Sequence, residues 1–282
     1  MYRGIETEMS VSSEFDLDGS VCVITGGSGE LGSAMAKAIG AHGGRVAVLA
    51  RGEEGLAETS EELAAMDVEH VTLPASVLDR AELEAAAETV VEELGRIDAL
   101  INAAGGNSPE ATTGEDTSFF DLTTEGFERV LNVNFVGTVL ATQAFGEHIV
   151  EQGEGVILNV SSMTAVTPLT KIPAYSGAKA AVSNFTEWLA VHVANEYSPD
   201  VRVNAIAPGF FLTEQNRYLL IDEETGEYTD RGESIVEHTP QRRFGDPEDL
   251  ATTVLWLLAP GSSFVHGAVI PVDGGFSAFS GV

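Results

Sequence analysis

Short apolar runs and amphipathic stretches alternate along almost the whole chain, and that alternation leaves few folds open to it. Val21–Thr25, Arg45–Ala50, His70–Leu73, Ala99–Asn102, Gly155–Val160, Val201–Ala205 and Ala268–Val272 have the length and apolarity of buried strands. Between them, Leu31–His42, Glu53–Met66, Arg80–Leu94, Thr124–Val150, Ala174–Glu196 and Pro247–Leu258 place apolar residues at helical spacing. Strands alternating with helices build βαβ units, whose right-handed crossovers put helices on both faces of a parallel sheet. The expected fold class is α/β: one Rossmann-like, doubly wound domain over residues 15–282, after an N-terminal extension 1–14. Two stretches break the rhythm, Gly105–Asp121 and Gly209–Gly245. Long loops inside compact domains are usually functional. Both follow strands, where open α/β sheets bind ligands, so they read as a substrate loop and a lid.

Charge narrows the partners. Fourteen Lys+Arg stand against 44 Asp+Glu in 282 residues, a net charge of −30. Such a surface repels nucleic acid and anionic lipid, so neither is expected as a partner. Lys37, Lys171 and Lys179 are the only lysines. Dispersed acidity with scarce lysine fits adaptation to high salt, where ions screen self-repulsion; the alternative is an ordinary acidic protein. Cys22 is the single cysteine and the histidines lack ligand spacing, so neither an internal disulfide nor a metal site is expected. No apolar run is long enough to span a bilayer and no leader pattern opens the sequence, which favours a soluble, cytoplasmic protein.

TGGSGELG, residues 25–32, follows the first strand and opens the first helix. Glycines there let a pyrophosphate approach the backbone, and the helix N-terminus supplies partial positive charge. Arg51 ends the second strand, where NAD-binding chains carry an acid for the adenosine ribose. A guanidinium can instead grip a 2′-phosphate with two hydrogen bonds. NADP(H) is therefore favoured, with NAD(H) as the alternative. Tyr175 and Lys179 lie four apart on one helical face, and Ser162 precedes Tyr175 by thirteen residues.

TGGSGELG, NAAG at 102–105, SS at 161–162, YSGAK at 175–179 and PG at 208–209 together resemble the short-chain dehydrogenase/reductase family. Glu30 stands where that family's pattern expects its central glycine, so a carboxylate there must turn away from the pyrophosphate. The resemblance implies a catalytic set of Asn134, Ser162, Tyr175 and Lys179. Tyr175 would be the general acid–base, Ser162 the group orienting the carbonyl, and Asn134 the holder of a water near the lysine. The Lys179 ammonium is expected to favour the phenolate of Tyr175. Cofactor contacts are implied at Gly26, Ser28, Gly29, Glu30, Leu31, Arg51, Ser76, Val77, Asn102, Ala103, Tyr175, Lys179, Pro208, Gly209, Phe211 and Thr213.

The segment around Tyr175, with GGNSP at 105–109 and PGFFLTEQNR at 208–217, is similar to the D-mannonate oxidoreductase (fructuronate reductase) branch of that family. A sugar acid needs a cation for its carboxylate and polar groups for its hydroxyls. Asn107, Ser162, Lys171, Asn216 and Arg217 are the candidates. Two other readings stand beside this one. One is a ketone reductase of the same fold, acting on a gluconate-type acid or a 3-oxoacyl thioester. The other is a dinucleotide-binding sensor, which would lack one of Ser162, Tyr175 and Lys179. The helices around Asn134 and Tyr175 are apolar on more than one face, and the family resemblance implies homotetramers or homodimers formed through them.

Overall fold

The sheet begins with β1 (Val21–Thr25), an interior strand whose residues are all buried. The computed structural model describes residues 15–281, so the 1–14 extension lies outside the described residues. From β1 the chain passes through α1 (Glu30–Ala41), β2 (Arg45–Ala50), α2 (Glu53–Ala65), β3 (His70–Pro74), α3 (Arg80–Leu94) and β4 (Ala99–Asn102). It continues with α4 (Thr124–Leu131), α5 (Gly137–Gln152), β5 (Gly155–Val160), α6 (Pro173–Glu196) and β6 (Val201–Pro208). The lid carries α7 (Glu214–Leu220) and α8 (Asp230–His238), and α9 (Glu248–Leu258) leads to β7 (Val269–Val272). The seven strands pair in parallel in the order β3-β2-β1-β4-β5-β6-β7.

Side-chain alternation along each strand sorts the core into two layers. Val21 and Val23 pack with residues of α3, α5 and α6, including Leu83, Phe145 and Leu189. Cys22 and Ile24 face α1, α2 and α9, including Met35, Leu63 and Leu250. Local chemistry fixes the helix ends. The Asp79 carboxylate accepts from the Ala81 and Glu82 amides to start α3, and Gly95 ends it at φ 87°.

Two expectations are corrected. The Gly209–Gly245 stretch is not a loop, because α7 and α8 lie inside it around a small core of Leu220, Ile221, Ile235 and Phe244. Thr229 caps α8 by accepting from the Gly232 amide. Both helices are under ten residues, too short for periodicity to show. The Thr124–Val150 helix is in fact α4 and α5, joined by a π-helical turn over Asn132–Val136. The Asn134 side chain donates to the Val130 carbonyl at 2.8 Å, occupying an acceptor of the regular helical ladder.

Buried Arg202 of β6 anchors the end of α9. Its guanidinium donates to the carbonyls of Leu257, Leu258 and Ala259 and to Ser262 Oγ, at 2.9 to 3.3 Å. These carbonyls lack helical partners, and the cation meets the negative end of the helix. Arg202→Met should lower unfolding stability by about 1–3 kcal/mol, because the Leu258 carbonyl loses its partner while the Leu257 and Ala259 carbonyls keep only their hydrogen bonds from Ser262. An unchanged denaturant midpoint would show that they are satisfied some other way.

Candidate active site

The strand order reverses between β1 and β4, the place where open α/β sheets leave a crevice at their carboxyl ends. The loops leaving these strands touch there. Thr25 Oγ1 accepts from the Ala103 and Ala104 amides at 3.1 and 3.2 Å. A Cβ on Gly26 would lie 2.8 Å from the Ala104 backbone, and one on Gly32 would lie 2.4 Å from the Gly26 carbonyl. Packing alone thus demands glycine at 26 and 32. Gly29 is different: a Cβ there would meet only the Gly26 carbonyl, at 3.5 Å. Gly29 is the N-cap of α1 and provides no side-chain cap. The bare helix start suits a nicotinamide cofactor's pyrophosphate. Glu30 lines a cleft with Ser28, Ser33, Lys37, Glu58 and Glu62.

Further along the same edge, α6 presents Tyr175 and Lys179 beside the end of β5. Tyr175 is hydrogen-bonded to Ser162. Lys179 Nζ lies 5.6 Å from the Tyr175 ring centroid and donates to the Val160 carbonyl at 2.7 Å. Asn134 accepts from the Gly106 amide at 3.1 Å and donates back to the Gly106 carbonyl at 2.7 Å. A Cβ on Gly105 would lie 2.6 Å from Asn134 Oδ1 and 3.3 Å from Lys179 Nζ, so that glycine keeps the two side chains close. The four expected catalytic residues therefore converge on one edge.

Burial is the leading influence on the electrostatics of this pair. Burial pushes the Tyr175 phenol above its usual range, and only the Ser162 hydrogen bond opposes that. Lys179 is itself lowered by burial to about 8, since desolvation penalises an ammonium lacking a carboxylate beside it. The protein alone thus holds a protonated phenol next to a weakly basic lysine.

Several predicted contacts prove to have structural uses. The Asn102 amide donates within the core to Thr142 Oγ1 and Asn159 Oδ1. Ser76 Oγ accepts from the Leu78 amide, Val77 is buried, and a Cβ on Gly137 would touch it. Asn216 closes a box on the lid backbone, accepting from the Thr213 amide and donating to the Phe211 carbonyl. Phe211 is buried and packs on Gly245, while Gly209, just past Pro208, backs onto Asp273. Asn107 donates to Thr112 within its own loop. Ser28 precedes the N-cap of α1, Leu31 lies in the first turn of α1 and packs against the core, and the Ala103 amide donates to Thr25. Lys171 lines a cavity to which none of the four catalytic candidates contributes. Arg51 and Arg217 are exposed, with no carboxylate partner among the described residues.

Thr25, Gly105 and Ser161 were missed as site residues. Ser161 Oγ donates to the Lys179 carbonyl at 3.1 Å and shares a hydrogen bond with Ser183. The only signal for all three was their place inside the motifs.

Comparison with known proteins agrees with this geometry. The family model for enoyl-(acyl carrier protein) reductases matches residues 28–277. The uncharacterized oxidoreductase UxuB of Bacillus subtilis strain 168 is 48% identical over 276 residues, covering 95% of this chain and 98% of its own. A Haemophilus influenza protein with a provisional D-mannonate oxidoreductase assignment, solved with bound NAD, superposes with a TM-score of 0.88. It is 41% identical, with 97% of this chain and 100% of the other covered. A gluconate 5-dehydrogenase from Burkholderia cenocepacia J2315, in complex with NADP and tartrate, gives a TM-score of 0.84 at 26% identity. There the coverage is 96% and 100%. The chain belongs to the short-chain dehydrogenase/reductase family and is an oxidoreductase that works on alcohol or ketone groups with a nicotinamide cofactor.

Proposed function

We propose that the protein interconverts a sugar acid's alcohol and ketone forms, D-mannonate and D-fructuronate first among them, with NADP(H) preferred over NAD(H). The observation that carries the redox reading is the convergence of Ser162, Tyr175, Lys179 and Asn134 beside the crevice. For the sugar acid, support comes from Arg217, an unpaired cation on the lid of a chain with net charge −30. The similarity to a provisionally assigned D-mannonate oxidoreductase adds to it. For NADP(H), support comes from Arg51, which lies just before Gly52, the N-cap of α2. Solved relatives hold either nucleotide.

The cofactor, when bound, supplies or accepts the hydride. This chain's residues manage the proton. Tyr175, protonated in its partly buried position, gives its proton to the carbonyl oxygen as that oxygen gains charge, and takes one back during oxidation. Ser162 orients the same oxygen through its hydroxyl. Lys179 and Asn134 hold the far side, the lysine tied to β5 and the asparagine to Gly106. The exposed Trp188 and Val191 of α6 are consistent with assembly into dimers or tetramers. The acidic surface is best suited to concentrated salt in the cytoplasm.

Tyr175→Phe should lower kcat by roughly 10²–10⁴-fold and leave nucleotide affinity near wild type; retention of most of the rate would remove Tyr175 from the proton path. Lys179 titrates lower in the folded chain than unfolded, about 8 against an ordinary 10.5. The unfolded state then binds the extra proton between these values, so stability without nucleotide should climb from about pH 8 to about pH 10. Lys179→Met should flatten that climb, and a flat wild-type profile would contradict a desolvated ammonium. A panel of uronates and aldonates, run with both nucleotides from dilute buffer to molar KCl, tests the rest. The expected result is activity on D-mannonate, an NADP(H) preference lost in Arg51→Ala, and loss of activity in dilute buffer. Inactivity on every sugar acid would overturn the substrate reading, equal use of the nucleotides the Arg51 reading, and full activity without salt the halophilic one.

A further inference from the structure

Helix α6 carries both Tyr175 and Lys179, and its hold on the sheet is largely apolar. Leu189, Ala190 and Val193 pack into the same core layer as Ile157 of β5. Apolar packing is non-directional. It presses α6 onto the sheet without fixing the height of the helix along β5. A catalytic pair carried on such a helix needs a directional tie to set that height.

Residues 159–162 supply several. Asn159 Nδ2 donates to Thr186 Oγ1 at 2.9 Å, and the Val160 carbonyl accepts from the Lys179 ammonium at 2.7 Å. Ser161 Oγ donates to the Lys179 carbonyl at 3.1 Å, and Ser162 is hydrogen-bonded to Tyr175. Four consecutive residues thus each hold α6. Three of the bonds end on side chains, which can turn about their own torsions. The Ser161 bond alone ends on the main chain of the helix.

Its direction follows from proton count. A carbonyl only accepts, so the single hydroxyl hydrogen of Ser161 points to Lys179. At the 2.7 Å contact with Ser183, one turn further along, the Ser183 hydroxyl is then the donor. The Lys179 carbonyl takes the Ser161 bond in addition to the helical one from the amide four residues on. Ser161 is 1% exposed, and its own amide donates to the Ile206 carbonyl of β6 at 2.8 Å. Sheet, serine and helix backbone are joined beside the catalytic edge.

We propose that Ser161 is a positioning residue for the alcohol–ketone conversion: it holds the main chain of α6 at Lys179 and so sets the Tyr175 phenol at the height of Ser162. Shut away by its burial, it acts through Tyr175 and not on substrate. The inference rests on the acid–base reading of Tyr175 given above.

Ser161→Ala removes this tie while the Lys179 carbonyl keeps its helical partner. On the fastest substrate of the panel above, kcat should fall about tenfold, a cost that a displacement of a fraction of an ångström can carry. Nucleotide affinity should stay near wild type. The Ser162 hydrogen bond is what lowers the Tyr175 phenol, so weakening it should move the half-maximal rate of oxidation to higher pH. A residue that merely braced the fold would reduce the amount of active enzyme without moving that pH. Added to Tyr175→Phe, Ser161→Ala should cost less than about twofold, because residues acting through one group are not additive. Ser161→Cys, with a weaker donor, should fall between Ala and wild type, and it carries the same comparisons if Ser161→Ala does not fold. An unchanged kcat and pH profile would overturn the proposal, as would the full tenfold loss repeated in the Tyr175→Phe background. Tyr175→Phe that keeps its rate rejects the acid–base reading. An unaffected Ser161→Ala beside an inactive Tyr175→Phe rejects the Ser161 assignment alone.

Discussion

The touching loops of β1 and β4 are the constraint on which the rest of the molecule hangs. A parallel sheet wound in both directions must have one seam where consecutive crossovers diverge. Here the seam is closed by Thr25 holding two amides of the opposite loop and by Gly26 lying against Ala104. With the seam fixed, the N-terminus of α1, the Gly105–Gly106 backbone and the Asn134 side chain acquire definite places. Lys179 can then be buried against Val160 without a counter-charge, because its neighbours leave it room and a carbonyl.

Charge organises the surface around that seam. In a chain with three acids for every base, carboxylates reach most of the surface cations and neutralise them locally. A cation left alone in such company is conspicuous. Arg51 and Arg217 flank the cofactor and lid ends of the sheet. Anionic molecules, repelled elsewhere by the general field, find favourable approach at these points.

Much of this was legible in the sequence because the signals were periodic or clustered. The strands of a doubly wound sheet are short, fully apolar and bounded by glycine or polar turns, so six of the seven begin where the pattern places them, β7 starting one residue later. The catalytic edge was legible because Tyr175 and Lys179 share a helical face. What escaped notice was decided by tertiary contact. No pattern distinguishes a seven-residue helix from a loop when, as in α7, the helix is held by Asn216 bridging its own first turn. The amides of Asn102 and Asn216 look alike as strings, yet both serve the backbone and core of the protein itself. Nor could sequence tell how strongly burial would act on Tyr175 and Lys179, since that is set by how completely water is removed.

The π-helical turn over Asn132–Val136 has a consequence for how such a chain can vary. A π turn carries one more residue than the α-helical turn it replaces, so the helical stretch from Thr124 to Gln152 contains a single-residue insertion held in place. Removing any one residue there would restore an unbroken α-helix and rotate everything on one side by roughly 100°. Either Asn134 would leave Gly106, or the apolar face of α5 would leave the sheet. Substitutions can therefore accumulate throughout this segment, but its length is frozen: a lineage could lose the extra residue only by losing the alignment of its active edge with its core.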